Sequence, residues 1–337
     1  MRARVIEVDP VRPEPAKIAE AVAVLRGGGL VAFPTETVYG LGARALDPTA
    51  VARVFAAKGR PSGHPLIAHV EGEAGARAIA AEWSERASLL ARAFWPGPLT
   101  LVVPRGATVP LAVTGGGDSV AIRAPAHPVA LALLRAMGEP LAAPSANRYQ
   151  TLSPTTAAHV VKTLGDAVDL VLDGGPCTAG IESTVLDVRA MPARVLRPGA
   201  LELAALRRVV PDAVYEPGVV AGEGAHASPG MDARHYAPRA RVVLVAGALA
   251  AMGHAAEEAG RSGGKVAVVL RRAPEAAARS SAVVVRVLPG EPEGYARELF
   301  ATLHALDDEG CACVVVQDVP ADDAWCAVAD RLRRAGA

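Results

Sequence analysis

A basic pair brackets a glycine in Ala57-Lys58-Gly59-Arg60-Pro61, at the close of a helix that Asp47 and Pro48 start as N-cap and first helical residue. Pro61 and Pro65 stiffen the next few residues, which would hold Lys58 and Arg60 over one spot. Triphosphate chemistry calls for such a pair: arginine grips oxygens bidentately, and lysine supplies a point charge as negative charge moves onto a leaving pyrophosphate. The same pair also complements a helix C-terminal dipole, so alone it selects no function. In Leu141-Ala-Ala-Pro-Ser-Ala-Asn147, Ser145 and Asn147 stand two apart. If extended they project to one side, where a hydroxyl and an amide could meet a phosphate or ribose; a plain turn uses the same residues.

Three further segments place polar groups where apolar runs end. Phe33-Pro-Thr-Glu-Thr-Val-Tyr-Gly-Leu-Gly42 follows a buried strand with Thr35, Glu36, Thr37 and Tyr39. Loops at the carboxyl ends of strands are where α/β proteins hold ligands, although capped turns look alike. Arg123 ends Ser119-Val-Ala-Ile-Arg and suits a bidentate carboxylate clamp or a rim salt bridge. Ile181-Glu-Ser-Thr-Val185 and Val195-Leu-Arg-Pro-Gly199 add Ser183, Thr184 and Arg197 in similar positions.

These segments need a scaffold. Length, 337 residues, predicts two domains. Apolar runs predict strands over 28–33, 65–70, 99–103, 119–123, 140–143, 168–172, 183–188 and 194–197. Helical spacing predicts helices over 16–26, 48–57, 74–93, 128–137, 155–164 and 201–209. Several strands come one after another with no helix between them, so residues 1–210 read as a mixed sheet with helices. Residues 211–240 scatter proline and glycine without periodicity and read as a linker. Beyond them, strands over 241–245, 265–270, 282–287 and 311–316 alternate with helices over 247–261, 294–309 and 322–335, the pattern of a small Rossmann-like parallel domain over 241–337.

Composition excludes several classes. Lys and Arg total 35 and Asp and Glu total 35, so no global field draws the chain to nucleic acid, and aromatic residues at 4% leave little for base stacking. An RNA-binding module is the less favoured reading. No Cys-x-x-Cys pair, no helical His pair and no Gly-Lys-Ser/Thr ending appears, which disfavours a zinc site, a metallohydrolase and a P-loop. Met1 leads into charged residues rather than an apolar leader, and no apolar stretch is long enough for a membrane span, so the expected location is the cytoplasm.

In this order, Pro-Thr-Glu-Thr-Val-Tyr-Gly-Leu-Gly, Lys-Gly-Arg-Pro, Ser-Val-Ala-Ile-Arg, Pro-Ser-Ala-Asn, Ile-Glu-Ser-Thr-Val and Arg-Pro-Gly resemble the YrdC-domain family. Gly230-Met-Asp-Ala-Arg-His-Tyr-Ala-Pro238 before a small α/β domain resembles that family's long, two-domain form. The resemblance implies a nucleotidyltransferase that turns L-threonine, bicarbonate and ATP, with Mg²⁺ on the ATP, into threonylcarbamoyl-AMP and pyrophosphate. A downstream complex would pass the threonylcarbamoyl group to the adenosine beside the anticodon of tRNA, without stable tRNA binding by this chain. Carried over by position, Lys58 and Arg60 are the catalytic pair. They, with Ser119, Ser145, Asn147, Ser153, Arg197 and Tyr236, would hold ATP, Tyr236 closing over the site from the linker. Thr35 or Thr37, His69, Arg123 and Ser183 would surround threonine, and the protein itself would supply no metal ligand. The nearest rival within the resemblance is a carbamoyltransferase, whose larger chains carry the zinc-finger clusters that this sequence lacks.

Overall fold

The structure, a computed structural model, describes residues 3–216, 235–273 and 283–337. Most of the expected linker, residues 217–234, and residue 282 of an expected strand lie outside the described residues. The chain divides into two compact units, residues 1–149 with 153–231, and residues 150–152 with 232–337.

In the first unit the strands are β1 (Arg4–Glu7), β2 (Val31–Phe33), β3 (Gly40–Arg44), β4 (Ile67–His69), β5 (Leu99–Pro104), β6 (Ser119–Arg123), β7 (Leu141–Ala142), β8 (Leu170–Asp173), β9 (Thr184–Asp187) and β10 (Arg194–Arg197). They form one sheet in the order β1-β8-β2-β3-β7-β4-β6-β5-β9-β10. Pairing is mixed: β4 runs parallel to β6, β6 antiparallel to β5, β5 parallel to β9, and β9 antiparallel to β10. The helices Pro15–Arg26 and Pro128–Met137 turn Ile18, Leu25, Leu133 and Leu134 onto Val31, Phe33, Leu141 and Leu172 in one buried apolar cluster. Each such buried side chain contributes roughly 1.5–3 kcal/mol.

Local chemistry explains the boundaries. Asp47 caps the helix Pro48–Lys58 by accepting from the backbone N–H groups of Thr49 and Ala50, and Gly59 ends it at φ 62°, a left-handed turn that glycine takes without a Cβ penalty. That turn sets Lys58 and Arg60 on either side of the helix end.

Three expectations need correction. The helix expected over 74–93 is two helices, Glu73–Ile79 and Glu85–Phe94. The chain is extended at Ala80, which bridges to Arg105, and restarts where Ser84 accepts from the N–H of Ala87. Strand β1 was not anticipated, its four residues being half polar. Nor was β3, because Gly40 and Gly42 carry no strand signal. Their reason is steric: a Cβ at Gly42 would come within 2.7 Å of the Phe33 ring on the neighbouring strand.

The second unit holds a four-stranded sheet of β11 (Arg241–Val245), β12 (Val266–Leu270), β13 (Val283–Val287) and β14 (Cys313–Gln317), in the order β11-β14-β12-β13. Every pairing is parallel, and the valine-rich β12 and β14 are fully buried, as a sheet covered by helices on both faces requires. The helix Ala248–Ser262 packs Ala251 and Ala255 on Val268 and Val315.

Candidate active site

Side chains of like parity on paired strands face one side of a sheet. Ile67 pairs with Ala121 and His69 with Arg123; Val102 pairs with Ala121, so Thr100 comes beside Arg123; Leu99 pairs with Thr184, which brings Ser183 next to Thr100. One face of β4, β6, β5 and β9 thus carries a buried apolar floor of Ile67, Ala121, Val102 and Val185. At one end of that floor a polar row crosses five strands: His69, Arg123, Thr100, Ser183 and Arg197, all buried.

Each member of the row has a hydrogen-bond partner. Arg123 donates from Nη1 to Thr37 Oγ1 (2.8 Å) and from Nε to the Gly97 carbonyl (3.2 Å). Its Nη2 approaches Glu36 Oε1 to 2.7 Å as an ion pair, without the alignment of a hydrogen bond. Thr35 and Thr37 share a hydroxyl contact of 2.8 Å, and Thr35 Oγ1 accepts from the N–H groups of Thr37 and Val38, so the loop after β2 is locked. Thr100 and Ser183 meet hydroxyl to hydroxyl at 2.7 Å. Arg197 donates from Nη2 to the Ser183 carbonyl (2.9 Å) and to its hydroxyl (3.2 Å). Next to Ser183, Glu182 accepts from Ser153 Oγ, and both are buried.

His69 is neutral here. Burial first, and then Arg123, push its pKa from 6.5 down to about 3. Its Nδ1 lies 3.4 Å from the Ile67 carbonyl, which only accepts, so Nδ1 carries the proton and Nε2 remains an acceptor.

A second cluster gathers around Lys58. Its Nζ donates to the carbonyls of Ser145 and Asn147 (2.6 Å each) and to Asn147 Oδ1 (3.2 Å). These are not the carbonyls of its own helix, so its contacts go beyond dipole complementation. Asn147 N–H donates to the Ser145 carbonyl (3.0 Å), a tight turn rather than an extended pair, and what Ser145 offers Lys58 is its backbone oxygen. Arg60 donates to the Pro65 carbonyl (3.2 Å) and lies 5.8 Å over the Tyr149 ring, and Tyr149 N–H donates to the Lys58 carbonyl (2.8 Å). Burial, and then Arg60, hold the Lys58 pKa well below 10.5, while three oxygen acceptors work the other way and favour the ammonium. None of the three is a carboxylate, so among the described residues Lys58 is wholly buried beside a second cation and makes no ion pair of its own.

Ser119 begins β6, four residues before Arg123, or ~13 Å along the strand. The parallel register that pairs Ile67 with Ala121 brings it level with Pro65, the residue that accepts from Arg60. Of the residues expected from sequence, those for threonine gather in the row and its Thr35–Thr37 loop. Lys58, Arg60, Ser145 and Asn147 gather in the second cluster, Arg197 and Ser153 join the row, and Tyr236 belongs to the other unit. There the Tyr236 ring is buried against His235 (4.0 Å), Phe300 (5.7 Å) and the Arg331 guanidinium (5.0 Å), with its backbone at φ 58°. Sequence reasoning overlooked Thr100, a lone hydroxyl in an apolar strand, and gave Glu36 and Glu182 no role; a carboxylate among the hydroxyls of a strand-end segment was their only signal.

Residues 23–199 match a family model that joins the Sua5, YciO and YrdC proteins and is described as "Telomere recombination". Residues 201–337 match one described as "Threonylcarbamoyl-AMP synthase, C-terminal domain". Fold and site thus define a YrdC-type α/β unit followed by the second unit of the two-domain proteins. The threonylcarbamoyl-AMP synthase of Bacillus subtilis is 35% identical over 97% of this chain and 95% of its own, and that of Pyrococcus abyssi is 48% identical over 70% of each. The solved structure of P. abyssi Sua5 complexed with L-threonine is 40% identical, covers 98% of this chain and 97% of its own, and superposes with a TM-score of 0.90. The chain belongs to the threonylcarbamoyl-AMP synthase family.

Proposed function

We propose that this chain forms L-threonylcarbamoyl-AMP and pyrophosphate from L-threonine, bicarbonate and ATP, the activity named for its relatives. The observation that carries the reading is the buried Lys58 beside Arg60, a positive charge whose three partners are all uncharged oxygens. A buried cation of this kind is stabilised by an anionic ligand, and the polyphosphate of ATP is one.

The second cluster, Lys58, Arg60, Ser145 and Asn147 with Ser119 level with it, holds the nucleotide phosphates; Ser153 and Arg197 complete the ATP set of this unit. Threonine lies at the row. Arg123 and Thr37 take its carboxylate, His69 Nε2 accepts from its hydroxyl, and Thr35 and Ser183 close the pocket. The threonine nitrogen attacks the carbon of bicarbonate and water leaves, giving a carbamate. A carbamate oxygen then attacks the α-phosphorus of ATP and pyrophosphate departs. The protein needs no covalent nucleophile, because positioning and charge neutralisation at Lys58 and Arg60 supply the catalysis.

Mg²⁺ arrives on ATP, held by phosphate oxygens and water. Residues 1–210 carry the catalytic machinery, 211–240 link it to residues 241–337, and a downstream tRNA complex in the cytoplasm consumes the product. Among the described residues no helix is long and apolar enough to cross a membrane. The test is pyrophosphate release by the purified chain with each substrate omitted in turn. Release that requires threonine and bicarbonate is the expected result, and release that ignores threonine refutes it.

A further inference from the structure

Arg123 and Glu36 form a pair with unused capacity. Two of the five guanidinium N–H groups are committed, to Gly97 and Thr37, while Nη2 is buried without an aligned partner. Glu36 is held by its backbone, whose carbonyl accepts from Ala179 N–H (2.7 Å), and by Oε2, which accepts from Ala126 N–H (3.0 Å). Its Oε1 is buried, 2.7 Å from Nη2 and likewise without an aligned hydrogen bond. A fixed cation and a fixed anion therefore stand in contact, and neither Nη2 nor Oε1 is spent in an aligned hydrogen bond. An α-amino acid carries its carboxylate and ammonium on a single carbon, in the complementary order. Laid against this pair, its carboxylate takes Arg123 Nη2 and its ammonium donates to Glu36 Oε1, so that charges alternate around the contact and both buried atoms are satisfied.

We propose that Glu36 binds the α-ammonium of the amino-acid substrate and takes its proton, an inference that rests on the reading of this chain as using L-threonine. The step is balanced. The ammonium gives one proton to the Glu36 carboxylate and becomes an amine. The amine nitrogen then forms a bond to the carbon of bicarbonate and a C–O bond breaks, so that one water leaves and a carbamate remains. The carboxylic acid at Glu36 returns its proton to solvent through the partly exposed side of the residue, 14% of whose side chain is accessible. Besides Arg123, titratable groups near enough to interact with Glu36 among the described residues include His127 and Cys177. Burial lowers the His127 pKa and raises that of the Cys177 thiol, so both flank Glu36 in their neutral forms.

Equilibrium binding to the full chain separates recognition of the ammonium from mere support of Arg123. Three ligands are compared: L-threonine, 3-hydroxybutanoate, which lacks the ammonium, and threoninol, which lacks the carboxylate. Glu36→Gln should weaken L-threonine and threoninol about ten- to hundredfold, the range for a buried charge-assisted hydrogen bond, and leave 3-hydroxybutanoate within about threefold. At saturating threonine its kcat should fall by about 10²–10⁴. Equal weakening of L-threonine and 3-hydroxybutanoate means that Glu36 acts only through Arg123 and overturns the proposal. So does an unchanged affinity for threoninol, and an unchanged kcat removes the proton-accepting role. Should Glu36→Gln not fold, as judged by its melting transition, Glu36→Asp draws the carboxylate back by one methylene and must show the same selective loss. A wild-type chain that binds no L-threonine at all refutes the functional reading instead, which keeps the two failures distinct.

Discussion

Lys58→Met tests the nucleotide cluster most directly, because methionine keeps most of the stem and removes only the charge and its three donors. In the folded protein those donors serve the Ser145 carbonyl, the Asn147 carbonyl and Asn147 Oδ1, the two carbonyls at 2.6 Å. Leaving a buried acceptor unmet costs about 1–3 kcal/mol. The substitution also lifts the penalty of holding a charge in the interior next to Arg60, the burden expressed in the lowered lysine pKa. The two effects offset in part, and a net loss of about 2 kcal/mol corresponds to a drop in Tm of roughly 4–8 °C for a unit of this size. Activity should suffer more. A preorganised donor aimed at developing charge is worth about 2.7–4 kcal/mol, so kcat should fall about 10²–10³-fold while the KM for threonine changes little. Pyrophosphate release under saturating ATP, bicarbonate and threonine reads kcat, and a melting curve on the same preparation reads the fold. A variant that folds and retains kcat within about tenfold of wild type would refute the assignment of the phosphates to this cluster.

Other substitutions probe the row and the backbone that builds it. Arg123→Lys keeps the charge but loses the fork shared among Gly97, Thr37 and Glu36, so the KM for threonine should rise about ten- to hundredfold with a far smaller effect on ATP; substrate titrations decide it. At Gly199 a Cβ would lie 2.3 Å from the Glu182 carbonyl oxygen and 2.5 Å from the Thr184 nitrogen, both backbone. Gly199→Ala should therefore cost about 1–3 kcal/mol in urea unfolding, and Gly63→Ala, with nothing within 4 Å of its Cβ, should be tolerated. His69 sets a pH dependence of known sign. Its pKa is about 3 when folded against 6.5 otherwise, so between those values the unfolded chain holds the extra proton and the native state loses stability as pH falls. His69→Gln should lose less stability than wild type between pH 7.5 and about pH 4.5, both compared by urea midpoints; equal losses would contradict a buried neutral imidazole.

How much the sequence disclosed depends on the range of the interactions involved. Strand Ser119–Arg123 and helix Pro128–Met137 match expectation at both ends, because glycine, proline and an apolar run mark them locally. The strand Gly40–Arg44 was illegible because its justification is a phenyl ring on another strand. Similarly, the gap after Ile79 depends on a bridge from Ala80 to Arg105. Within the site, residue types could be selected but partners could not. Lys58 looked like a helix-end cation until backbone oxygens 87 and 89 positions away proved to surround it. Ser145 and Asn147 were expected to act through side chains two apart, yet a turn brings two carbonyls and one amide oxygen to bear. Glu36 sat inside a recognised segment without a role, since only the fold sets it against an arginine 87 residues later.

The row of five polar side chains has a consequence for how the molecule comes into being. Residues 69, 100, 123, 183 and 197 reach one line only because four separate strand pairings are each in the correct register. A slip of one residue in any of them would turn its member to the opposite face of the sheet. No fragment ending before residue 197 can assemble the line, and no local turn or helix can form it early, since its contacts span long stretches of chain that must close before they contribute. Competence should accordingly be acquired late and all at once during folding, and an inserted or deleted residue within any of these strands should abolish binding even where the sheet itself survives.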